Sequence, residues 1–168
     1  TEMLTVTVKK DFLNMWNVTE KEIISAAAKN TAKMLPMKIV SLAEMMINNI
    51  MNEPRIPQKE KEIMISTMEN HEDFLYVLSN YHSNNGASVI LYKDGLKNIA
   101  RKLNANELFV IPSSIHEVIV YDANMESSIE ETKELISFVN GNKIEPEEYL
   151  SGNLYKYSIE TDSIEIVE

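Results

Sequence analysis

Hydrophobic residues recur along this chain with two periods, and the switches between them outline the elements. Two β-rich apolar runs, Leu108–Ile111 and Ile115–Tyr121, flank Pro112-Ser113-Ser114 and read as antiparallel strands around a tight turn. In the second run His116, Val118 and Val120 belong to one face and Glu117, Ile119 and Tyr121 to the other, because side chains alternate along a strand. Both faces carry apolar side chains, so this hairpin (108–121) is expected at the centre of a sheet covered on both sides. Phe74–Leu78 has the same two-sided character and is expected as a second central strand. Met3–Val8 alternates as a strand with one wet face, and Leu154–Ile159 with Ser163–Val167 form a peripheral hairpin turning at Glu160–Asp162.

Other segments carry the helical period. After a short helical piece through Phe12, Met15 and Trp16, Thr19 and Glu22 have capping-box spacing, with Val18 and Ile23 as a hydrophobic staple. Ile23, Ala27, Ala28, Thr31 and Leu35 mark the inward stripe of the helix that follows, which must stop near Pro36. Ser41 and Glu44, with Val40 and Met45, repeat the device for a helix ending near Asn52. A charged connector over 53–72 holds one polar helix with an apolar patch at Ile63, Met64, Ile65 and Met68. Ser79–Gly86 is a turn-rich loop. From Ala87 to Leu103 the residues Val89, Tyr92, Leu96, Ile99, Ala100 and Leu103 keep a 3.6-residue period, so one helix is favoured over a strand at Ala87–Tyr92, with Asp94-Gly95 either a break or a weak point in it. Ser128 and Glu131 open another capped helix, stopped by Asn140-Gly141, and Pro146–Leu150 suits a single helical turn.

These elements make an α+β domain, with a mixed, mainly antiparallel sheet and helices packed on it. One domain spans 1–168: residues 1–52 mostly helical, 53–72 the connector, and 73–168 forming the sheet. At 168 residues and 44% hydrophobic the chain buries enough surface to fold without a staple. The absence of cysteine excludes disulfides, thiolate metal sites and thiol nucleophiles, and fits a reducing compartment. No apolar run reaches the ~20 residues of a membrane span and no signal peptide opens the chain, so a cytoplasmic protein with no membrane association is expected. The chain starts at Thr1 rather than Met, which leaves room for a longer parent protein. The net charge of −10 is lopsided: 13 Lys/Arg against 12 Asp/Glu up to Asn106, then 3 against 14 from Glu107. An acidic half repels phosphate backbones, so nucleic acid is not an expected partner.

Ser113, Ser114, His116 and Glu117 are the residues that invite a hydrolytic reading. Ser114 and His116 can share a face, but no Gly-x-Ser-x-Gly elbow or second His/Asp signature accompanies them. A turn shaped by two serines and a histidine satisfying a polar contact is the commoner arrangement. His71, His82 and His116 are the only histidines; with Glu117 or Asp122 they would make a metal site, yet no ligand spacing supports one, and no metal or cofactor is expected. Asn84, Asn85 and Gly86 permit close backbone approach to a ligand, since Asn-Gly tolerates positive φ, but no phosphate-loop motif is present. Met34, Met37, Met45, Met46 and Met51 crowd into the N-terminal helices; thioethers at helical spacing usually fill cores, and they also suit an adaptable contact surface.

Four passages, WNVTEKEIISAAAKNTAKMLP (16–36), YVLSNYHSNNGASVILY (76–92), LFVIPSSIHEVIVYD (108–122) and EEYLSGNLYKY (147–157), resemble in order and spacing an uncharacterised family of Firmicute proteins common in gut clostridia. The resemblance covers most of the chain, with Pro-Ser-Ser-Ile-His-Glu its most specific part. It implies a bacterial, cytoplasmic protein, leaves room for this chain to be the C-terminal portion of a longer one, and carries over no reaction, cofactor or catalytic residue. The missing catalytic motifs and the clustered methionines together favour a non-enzymatic protein-interaction or regulatory domain, contacting a protein partner or a second copy through the Met-rich helices or an edge strand. The competing expectation is a hydrolase-like enzyme or small-ligand binder, with Ser114 and His116 as catalytic candidates and Ser113, Asn84, Asn85 and Gly86 as binding candidates.

Overall fold

A computed structural model describes residues 6–68, 75–125 and 146–167. It places helices α1 (Lys10–Trp16) and α2 (Glu20–Met34) first, then strand β1 (Met37–Ser41), helices α3 (Leu42–Asn52) and α4 (Gln58–Met68), and strand β2 (Tyr76–Asn80). A 3₁₀ turn at Gly86–Leu91 leads into α5 (Gly95–Lys102); β3 (Glu107–Pro112) and β4 (Val118–Asp122) follow. A second 3₁₀ turn at Pro146–Glu148 precedes β5 (Tyr155–Ser158) and β6 (Ser163–Ile166). The strands form one sheet in the order β1-β2-β4-β3-β5-β6. Every pairing among them is antiparallel. This is the expected α+β class.

The hairpin β3–β4 lies at the middle of the sheet, as the two-sided apolar pattern requires. Val110 pairs with Val120 and Phe109 with Tyr121. The alternation then divides the core. Leu78, Leu108, Val110, Val118 and Val120 pack on one face with Val89 of the 3₁₀ turn and Leu96, Ile99 and Ala100 of α5. Val77, Phe109, Ile111, Ile119 and Tyr121 pack on the other with Leu154, and Leu42 and Met45 of α3 lie against them. The Phe109 and Tyr121 rings meet at 5.4 Å, a cross-strand aromatic pair.

Four expectations need correction. Ile115, His116 and Glu117 precede β4 rather than opening it. The Ser114 hydroxyl accepts the His116 backbone N–H at 3.0 Å and the Ser114 N–H reaches the Glu117 carbonyl at 3.2 Å, so these groups are satisfied within the turn instead of across the ladder. The helix expected over Ala87–Leu103 is broken: Tyr92 is extended and Asp94 is left-handed (φ 58°), so a 3₁₀ turn and a shorter helix share one inward stripe. Within the expected strand Met3–Val8, the described residues Val6–Val8 form no strand. Conversely, Met37, grouped above with the N-terminal helices, opens strand β1 (Met37–Ser41), an edge strand in register with β2 from Met37–Asn80 to Ser41–Tyr76. The capped helix expected after Ser128 lies outside the described residues.

Candidate functional site

Three loops converge beside the buried end of β2. Ser79 and Asn80 are buried polar residues closing that strand. The Asn80 amide donates to the Asn84 carbonyl at 2.8 Å and its Oδ1 accepts the His82 N–H at 2.9 Å, folding the Tyr81–Asn85 loop back on its own strand. Positive φ falls on Ser83 (51°) and Asn85 (50°), not on Gly86. Gly86 is needed for space instead: a Cβ there would collide with the Ser79 hydroxyl and the His116 carbonyl, and would lie 2.8 Å from the Asn80 nitrogen.

That close approach brings the Asn84-Asn85-Gly86 loop against the Ser113–Glu117 turn. The Ser79 hydroxyl donates to the His116 carbonyl at 2.7 Å, and the Ala87 N–H donates to the Ile115 carbonyl at 3.1 Å. The imidazole is the pin. Its Nδ1 accepts the Asn85 backbone N–H at 3.0 Å, and its Nε2 faces the Glu148 carboxylate at 3.3 Å. An amide donating to Nδ1 assigns the ring proton to Nε2, which then donates to Glu148. The Glu148 carbonyl also accepts the Ile115 N–H at 2.9 Å, so the 3₁₀ turn is tied to the hairpin through backbone and side chain together.

Ser113, Ser114, His116, Asn84, Asn85 and Gly86 are thus gathered in one place. The chemistry of the gathering is specific. Acyl transfer needs a hydroxyl hydrogen-bonded to an imidazole lone pair, with a carboxylate holding the other nitrogen. Here the carboxylate is present as Glu148, but the Nδ1 lone pair is occupied by the Asn85 amide and the Ser114 hydroxyl is bonded to backbone. Ser113 and Ser114 are both buried. The Glu117 side chain lies on another surface, and Asp122 closes a turn by accepting the Asn124 N–H at 2.9 Å. His82 sits on the exposed loop and His71 lies outside the described residues. No group of three or more His, Asp or Glu that could hold a metal ion occurs among the described residues. Glu148 and Asn80 are partners that sequence reasoning missed. Glu148 is remote in the chain and gives no local signal, whereas Asn80, a polar residue closing an apolar run, was visible but read as loop.

The methionines divide between core and surface. Met37 and Met45 are half-buried and pack on the two core faces. Met34 is 75% exposed and Met51 60%. Neither α1 nor α2 contains a buried residue, although both carry large apolar side chains. Of the inward stripe expected on α2, Ala27 and Ala28 are exposed while Ile23, Thr31 and Leu35 are half-buried.

A family profile described as a family of unknown function matches residues 1–159. The chain belongs to that family, DUF5688. No curated protein and no solved structure matches this DUF5688 chain. No helix among its described residues is long and apolar enough to cross a membrane.

Proposed function

We propose that this DUF5688 chain is a non-enzymatic protein-interaction module of a bacterial cytoplasmic protein, and that helices α1 and α2 are its contact surface. One observation carries the reading: α2 is a capped fifteen-residue helix with no buried residue. Helices in water owe most of their stability to packing an apolar face, so a helix of this length with nothing buried lacks its usual support. The unburied apolar groups are large, with Ile24 60% exposed and Trp16 48%. The occupied His116 nitrogens argue in the same direction, because a base without a free lone pair abstracts no proton.

Photo-crosslinking residues placed at Ile24 and Met34 test this in the cell that makes the protein, with exposed Asn98 of α5 as the control position. The expected result is discrete crosslinked products from both helix positions and none from Asn98. Equal, diffuse labelling from all three would end the reading.

A further inference from the structure

A cleft of about 210 Å³ opens between α3 and the β1–β2 edge, on the face opposite α5. Its floor is apolar, made by Val40, Met45 and Val77. Around that floor stand the exposed Lys38, Asn48, Asn49 and Ser83 and the half-buried Glu117, whose side chains have no hydrogen-bond or ion-pair partner among the described residues. Five unpartnered polar side chains from three separated stretches of chain converging on an apolar floor is the general form of a small-molecule site. It shares no residue with α1 or α2, and its chemistry is independent of the contact surface proposed above.

The charges select the ligand. Lys38 and Glu117 face the same volume without an ion pair between them. A phosphate or dicarboxylate would satisfy Lys38 but meet repulsion from Glu117, and a polyamine would do the reverse. A molecule carrying one charge of each sign satisfies both, with the Asn48 and Asn49 amides offering donors and acceptors to either end. The volume lies below the roughly 300–1,000 Å³ of sites for drug-sized ligands, which limits the occupant to the scale of one amino acid. The apolar floor calls for an aliphatic side chain. We propose that this cleft binds a small free aliphatic α-amino acid, its ammonium on Glu117, its carboxylate on Lys38, and its side chain on Val40, Met45 and Val77.

Calorimetric titration of the intact chain tests this with L-leucine, leucinamide, which lacks the carboxylate, and 4-methylpentanoate, which lacks the ammonium. Leucine is expected to bind, and each half-ligand to bind about tenfold more weakly or worse, the size of one lost charge-assisted hydrogen bond. Lys38→Met is expected to weaken leucine about tenfold without weakening the cationic leucinamide, and Glu117→Gln to weaken leucine without weakening the anionic 4-methylpentanoate, since each change also removes a like-charge repulsion. Neither substitution touches the core, so circular dichroism is expected to match the parent chain. Three results would each overturn the proposal: no heat from leucine, valine or methionine at about 10 mM, a range that reaches millimolar affinities; half-ligands binding as well as leucine; or leucine affinity unchanged in both variants.

Discussion

Gly86 shows most plainly what single residues do here. Its hydrogen atom is the spacer that lets Asn85 reach the His116 ring, and any Cβ would press on a strand nitrogen and a turn carbonyl that cannot move alone. Gly86→Ala is accordingly expected to cost about 1–3 kcal/mol, the usual range for overpacking, read as a lowered urea midpoint with an unchanged slope. Tyr157 gives a second prediction. Burial, aided by its 2.6 Å hydrogen bond to the Asp162 carboxylate, pushes the phenol up from 10 to about 12. A raised folded value means the unfolded chain loses this proton first as pH rises. Its contribution to stability is thus complete below pH 10 and lost as pH climbs towards about 12. In Tyr157→Phe that part of the alkaline decline is expected to vanish, and denaturant titrations at pH 9 and pH 11.5 measure the difference. Residue roles of this kind were the least legible in the sequence. Ser113, Ser114, His116 and the Asn-Asn-Gly stretch were singled out together, but their mutual contacts and the part of Glu148 depend on loops about thirty residues apart in the chain.

At the scale of elements, sequence signals worked where their physics is local. The Thr19/Glu22 capping box is formed in full, the Thr19 N–H donating to the Glu22 carboxylate at 2.8 Å and the Glu22 N–H to the Thr19 hydroxyl at 3.3 Å. Those bonds hold the Glu22 carboxyl below its usual value. Because α2 buries no residue, the cap is a large share of its support. Thr19→Ala is expected to cost the helix about 1 kcal/mol, seen as faster amide exchange in its first two turns while the sheet amides stay unchanged. The central and peripheral hairpins were legible for the same reason, since alternation and turn residues sit within a dozen positions. Strand β1 was not. Its five residues lie between two capping devices, Ser41 both ends the strand and caps α3, and only pairing with β2 makes the segment extended. The 3₁₀ turn at Gly86–Leu91 was hidden differently, because its apolar residues continue the helical period of α5 across a left-handed Asp94.

Across the whole molecule, apolar residues are spent on two core faces around one antiparallel sheet, and the N-terminal helices are left outside that economy. The sequence stripe on α2 was read as buried because amphipathic helices usually are. Beside that stripe the large side chains Ile24 and Met34 face solvent, and on the proposed reading they are where another protein docks. Methionine oxidation read by mass spectrometry measures this directly, because thioethers react with peroxide in proportion to their exposure. Brief peroxide treatment of the purified chain at high dilution is expected to oxidise Met15 and Met34 fast and Met37 and Met45 slowly. Treatment inside intact cells is expected to slow Met15 and Met34 severalfold relative to exposed Met64. Equal rates at Met15 and Met34 in cells and in dilute solution would contradict the claim that α1 and α2 are covered by a partner.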